Sequence, residues 1–115
     1  MNHYHTSTGE RVTQGQINIR YRKAKSGAML KYVCEGCGKK AHDVSHTIAQ
    51  IKCKDLHKTE LIWDEENWSF DCRDCHHIWE SYKSGLFTQL KNFAVRMFYV
   101  EKHDPEGYRQ RMNFV

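Results

Sequence analysis

Cys34-Glu35-Gly36-Cys37-Gly38 and, further along, Asp71-Cys72-Arg73-Asp74-Cys75-His76 are the two stretches on which the fold turns. Together the two Cys-x-x-Cys knuckles offer four thiolates, the donor set of a tetrahedral structural zinc, and the glycines of the first knuckle let backbone amides turn back toward the sulfurs. In a chain of 115 residues the apolar surface available for burial is limited, so a metal that contributes folding free energy directly suits it, and zinc binding and folding are expected to be coupled. The fifth cysteine, Cys53, lies between Lys52 and Lys54, outside either knuckle. Those lysines would favour its thiolate, but nothing places a base beside it, and it reads as a bystander.

Outward from the knuckles the pattern alternates between strand and helix. Tyr32-Val33 is a short apolar entry to the first knuckle, and His42 to Ile48 alternates as a strand, with His42, Val44 and His46 on one side and Asp43, Ser45 and Thr47 on the other. Residues 49–66 read as a long connection anchored by Leu56, Leu61, Ile62 and Trp63, and Asn67 to Asp71 as a second strand with Trp68 and Phe70 on one face. Cys75 is expected to open a helix on which His76 and Glu80 share a side across one turn, before Ser84-Gly85 breaks it. Leu86, Leu90, Phe93, Ala94, Met97 and Phe98 predict one helix from 86 to about 102, and Asp104-Pro105 caps a last short helix ending near Met112.

Ahead of the knuckles, residues 1–12 are polar and read as a mobile lead-in in which His3 and His5 have no evident partner. Thr13 is a helix cap, and Ile17, Tyr21 and Ala24 recur at helical spacing beside Arg20, Arg22, Lys23 and Lys25, up to Ser26-Gly27. The net charge of +4 is uneven: residues 1–33 carry six Lys/Arg against one acid, whereas residues 34–85 carry seven against ten. Such a basic segment favours a phosphate backbone, though it equally suits a solvated helix face. The odd, knuckle-spaced cysteine set points to a reducing compartment rather than a disulfide framework. With no apolar run of signal-peptide or membrane-spanning length, the chain is expected to be soluble and cytosolic, without a membrane partner.

Val44-Ser45-His46-Thr47-Ile48 followed by Asn67-Trp68-Ser69-Phe70-Asp71-Cys72-Arg73-Asp74-Cys75-His76 sets out the order His, Asn, His, with Asn67 five residues before Cys72 and His76 directly after Cys75. In this the chain resembles the HNH endonucleases, across roughly residues 32–83. The resemblance implies a zinc-stapled ββα-metal core at 32–83, which with the basic N-terminal arm and helix at 1–31 and the helical extension at 84–115 makes an α+β protein. It implies a metal-dependent DNA endonuclease in which His46 is the general base, Asn67 holds the loop between the strands so that His46 is oriented, and His76 binds a catalytic Mg2+ or Mn2+ distinct from the zinc on Cys34, Cys37, Cys72 and Cys75. The residue before the general base, usually an aspartate or histidine ligand in that family, is here Ser45, a poor ligand. Glu80 and then Asp43 are the available replacements.

DNA is the partner this implies, with Arg20, Arg22, Lys23, Lys25 and Lys31 as candidate contacts and a homodimer through the 86–102 helix as a further option. Its similarity to compact stand-alone HNH proteins of bacteriophages points to a product acting in a bacterial host cytoplasm. The alternative is a zinc-knuckle module that lost its chemistry at Ser45 and binds nucleic acid or protein on the same scaffold.

Overall fold

A computed structural model describes residues 2–28 and 31–115. The described residues form an α+β fold with two antiparallel sheets of two strands each. It divides into two units, Met1–Met29 with Ile48–Asn67, and Leu30–Thr47 with Trp68–Val115. Among the described residues no helix is long and apolar enough to cross a membrane.

In the first unit the polar lead-in is ordered rather than mobile. β1 (Tyr4–His5) pairs with β2 (Arg11–Val12) around a turn that needs Gly9 at φ +87°. What holds this hairpin lies far away in sequence: the amide and hydroxyl of Ser7 both donate to the Glu60 carboxylate, and the Thr59 hydroxyl donates to the carbonyl of His5. The ring of His5 also sits 5.5 Å from that of His57. α1 (Gln14–Gly27) starts as its sequence predicts, at a capping box in which Thr13 and Gln16 satisfy each other's backbone amides. The connection after residue 47 carries its own structure, α2 (Gln50–Asp55) and 3-10 turns at Thr59–Trp63 and Glu65–Asn67. Val12, Ile17, Cys53, Leu61 and Ile62 form its buried core.

The second unit is built on β3 (Asp43–His46) and β4 (Trp68–Asp71), in the register Asp43 to Asp71, Val44 to Phe70, Ser45 to Ser69 and His46 to Trp68. Both strands are shorter than their alternation suggests, and Asn67 ends a 3-10 turn rather than starting the strand. α3 (Arg73–Glu80) begins two residues earlier than expected, because the Cys72 sulfur accepts from the amide of Cys75 and serves as its N-cap. The single helix expected over 86–102 is not formed. A 3-10 turn at Leu86–Gln89 is followed by extended Leu90, and only then by α4 (Phe93–His103) and α5 (Pro105–Met112). The break is tertiary: Leu90 is buried against Gly36, and the Lys91 amide donates to the Gly36 carbonyl at 2.9 Å. As a result α4 buries Arg96, Met97, Tyr99 and Val100, while Ala94 and Phe98 of the expected stripe, and Val95 beside them, are exposed. Asp104 caps α5 as predicted, accepting from the Gly107 amide.

The arginine in that buried face organises the unit. Arg96 is 3% exposed and donates to Asp71 Oδ2 (3.0 Å), Ser45 Oγ (2.9 Å) and Thr47 Oγ1 (2.9 Å). Ser69 donates to the other Asp71 oxygen at 2.6 Å. Burial lowers the Arg96 pKa to about 10 against the opposing pull of Asp71, so the guanidinium stays charged at neutral pH. Its Cζ also lies 4.2 Å from the centre of the buried Trp79 ring, and Arg111 Cζ lies 3.8 Å from the same centre. Arg96→Met leaves Asp71 charged and unpaired in the core, and is expected to destabilise the protein by about 3–5 kcal/mol, with Arg96→Met/Asp71→Asn recovering part of the loss. Denaturant midpoints of the two variants measure this, and equal midpoints for wild type and Arg96→Met would show the network to be dispensable.

Candidate metal centre and active site

The turn Glu35–Cys37 and the start of α3 bring the four knuckle cysteines together. The sulfurs of Cys34, Cys37, Cys72 and Cys75 all lie within 4.8 Å of one another, and those of Cys37 and Cys72 are 3.7 Å apart. That is far too long for a disulfide, and it matches the edge of about 3.8 Å of a sulfur tetrahedron with Zn–S bonds of about 2.3 Å. The four thiols therefore fit a structural zinc, and they are the only group of three or more candidate ligands drawn together this tightly among the described residues.

Local backbone explains why the knuckle can close so far. Gly38 turns at φ +84°, the Cys34 amide donates to the Lys39 carbonyl and an isolated bridge joins Val33 to Lys40. A Cβ at Gly36 would stand 3.0 Å from the Cys75 sulfur and 3.1 Å from Leu90, so this position admits no side chain without a shift. Glu35 ties the knuckle to β4: its carboxylate accepts from the Phe70 amide and its own amide donates to the Phe70 carbonyl.

The sulfurs differ in proton affinity. A hydrogen bond from the Lys39 backbone brings the Cys37 thiol down to about 7. Burial, followed by the neighbouring sulfurs, pushes the Cys75 thiol up. The Cys75 amide favours the Cys72 thiolate, but burial and the crowding sulfurs outweigh it and raise that thiol too. Four thiolates in one spot repel, and a cation at their centre relieves this by displacing the remaining protons.

One turn along α3, His76 stands between two carboxylates. Its Nδ1 is 3.2 Å from Asp43 Oδ2 on β3, and its Nε2 is 3.2 Å from Glu80 Oε1. The structure thus brings together the three residues named above as cation ligands, but on opposite nitrogens of one ring. The spacing between Nε2 and Glu80 Oε1 suits two atoms sharing one ion at about 2.1 Å each. Asp43 instead accepts from Nδ1–H in the tautomer that leaves Nε2 available, the usual outer partner of a ligating imidazole.

Ser45 and His46 face opposite ways. The pleat puts Asp43 and Ser45 on one side of β3 and Val44 and His46 on the other. Ser45 is fully buried, its hydroxyl held by Arg96. His46, half-buried, meets Trp68 of β4 edge-on at 6.4 Å between ring centres.

Within the first unit, Asn67 is fully buried and ties the two ends of the 48–67 segment. Its Oδ1 accepts from the Ile48 amide at 2.7 Å, and its Nδ2 donates to the carbonyls of Ile48 and Leu61 at 3.0 Å each. Cys53 is buried and donates to the Ile48 carbonyl.

Of the candidate nucleic-acid contacts, Arg20 makes a two-pronged pair with Glu10 and lies over the Trp63 ring, and Lys31 pairs with Glu35. Arg22, Lys23 and Lys25 are exposed on α1. Sequence reasoning did not find Arg96. A lone arginine in an apolar helix is a weak signal, but Ser45, Ser69 and Asp71 at inward positions of β3 and β4, with Thr47 just past the end of β3, called for a buried donor.

No family model, curated protein or solved structure matches the chain.

The protein is expected to bind one zinc per chain, measured by metal analysis, with Cys37→Ser and Cys75→Ser each losing it. Because the Cys37 pKa is depressed, the contribution of its thiolate is complete above the ordinary thiol range and is lost as pH falls through about 7. Zinc binding displaces the thiol protons, so zinc release to a chromogenic chelator should rise as the solution is acidified. Full retention of zinc in Cys75→Ser would remove that residue from the ligand set.

Proposed function

We propose that this chain is a metal-dependent DNA endonuclease of the HNH class, with a ββα-metal core stapled by zinc on Cys34, Cys37, Cys72 and Cys75. What supports it most is the placement of Asp43 and Glu80 on either side of His76, each at 3.2 Å. The two acids that remain once Ser45 is discounted as a ligand are those in contact with the imidazole.

Phosphodiester hydrolysis needs an activated water, stabilisation of charge on the phosphate and help for the leaving oxygen. Mg2+ or Mn2+ bound at His76 and Glu80 would supply the latter two. His46 takes the proton from the attacking water at an imidazole nitrogen. Arg96 holds the side chains on both sides of His46, those of Ser45 and Thr47, and Trp68 packs against its ring, so the base starts from a fixed backbone. Asn67 closes the loop that begins two residues after His46 in the chain, the role expected of the family's asparagine.

Two observations favour a second reading, a scaffold that kept its zinc and binds DNA without cutting it. Ser45, where a ligand would stand, is turned into the core against Arg96, and His46 lies on the face of β3 opposite Asp43.

Zinc-loaded protein is expected to nick supercoiled plasmid when Mg2+ or Mn2+ is added, and His46→Ala to lose about 100-fold or more in rate. Glu80→Gln should cost more than Asp43→Asn, since it removes a ligand rather than an orienting acceptor. Ser45→Asp should bring no gain, because Arg96 would capture the new carboxylate. Undiminished cleavage by His46→Ala would sink the nuclease assignment, and a folded wild type that binds DNA without cutting it would establish the second reading.

A further inference from the structure

Beside the zinc knuckles, the second unit holds a cavity of about 440 Å³ lined by Lys39, Lys40, His42, Cys72, Arg73 and Asp74. We propose that this cavity is an anchoring site for the phosphodiester backbone of DNA, resting on the nucleic-acid substrate proposed above and distinct from the basic residues of α1.

Four observations bear on it. Lys39, Lys40 and Arg73 bring three full charges and His42 an imidazole, against one carboxylate, Asp74. Among the described residues none of the four basic side chains is in an ion pair, whereas Arg20, Lys31, Arg96 and Arg109 all are. Their charge is therefore uncommitted. α3 begins at this wall with Arg73, so the positive end of its dipole adds to the field. Finally, Arg73 lies three residues before His76 on α3, and His42 precedes Asp43, so both lead directly into the pair at the candidate cation site.

The exposure of these side chains decides between kinds of anion. All four basic residues are solvent-exposed, which gives poor enclosure for a small free anion. A polyanion needs no enclosure, since its affinity sums over many weak contacts and is driven by release of condensed counterions. A strand seated there would have one phosphate held at Lys39, Lys40 and Arg73 and another about a helical turn away at His76. The competing role for these cations is to balance the charge of a zinc-bound thiolate cluster, and the two roles predict different losses.

The test is binding of a short fluorescein-labelled DNA duplex by anisotropy across a salt series, in zinc-loaded wild type, in Lys39→Gln/Lys40→Gln/Arg73→Gln, and in Arg22→Gln/Lys23→Gln/Lys25→Gln of α1. Zinc content is measured in parallel. The pocket variant is expected to keep its zinc, to bind roughly tenfold or more weakly near physiological salt, and to lose about two to three from the slope of log affinity against log salt. The α1 variant should lose less. An unchanged slope in the pocket variant, or no duplex binding by wild type, would overturn the site. Loss of zinc in the pocket variant would assign the cations to charge balance, unless the single Lys40→Gln variant keeps its zinc and still loses affinity and slope. Wild type that binds through this pocket without cutting leaves the site standing and ends the nuclease assignment; cutting by wild type with the KM unchanged in the pocket variant does the reverse.

Discussion

A guanidinium taken out of water must have its N–H groups answered, and Arg96 is answered by Asp71, Ser45 and Thr47. Desolvation of this kind costs several kcal/mol per ion unless the pairing and hydrogen bonding are nearly complete. Here Asp71 balances the charge while two strand hydroxyls take the other donors. The consequence reaches well beyond α4. β3 and β4 are only four residues each, and a rigid fork spanning residues of both strands sets their register more firmly than such short strands can alone.

That clamp also sets what the strand presents. Side chains alternate, so fixing Ser45 and Thr47 inward fixes His46 outward, where Trp68 meets it. On the inward side, Asp43 is left beyond the reach of the arginine network and meets His76 instead. The serine at position 45 is thus a core acceptor, and Asp43, two residues earlier on the same face, is the first strand acid able to reach α3. One buried cation accounts both for the burial of Ser45 and for the orientation of its neighbours.

The knuckles constrain the same unit from the other end. Gly36 comes so close to Cys75 and Leu90 that the packing of the first knuckle, the start of α3 and the path of the chain after Leu90 are a single arrangement. The amide of Lys91 leaves the helical pattern because the Gly36 carbonyl offers it a partner. That bond divides a stretch whose apolar spacing alone reads as one helix, and it turns Val95 and Phe98 to solvent.

Local chemistry was legible in the sequence wherever the causes were local. The Thr13 and Asp104 caps, the span of α1 and the four zinc-type cysteines follow from residue types within a few positions of one another, and so does the His76 and Glu80 pair on one helix face. Hidden were the features caused by partners distant in the chain. The N-terminal hairpin depends on Glu60 and Thr59, the break before α4 depends on Gly36, and the burial of Ser45 depends on Arg96. Which groups could hold a metal and where α1 and α5 begin follow from residue order alone, because spacing and capping act over a single turn. Which strand acid meets His76 and which hydroxyl is spent inside the core depend instead on Arg96, far along the chain, because a buried charge had to be neutralised there.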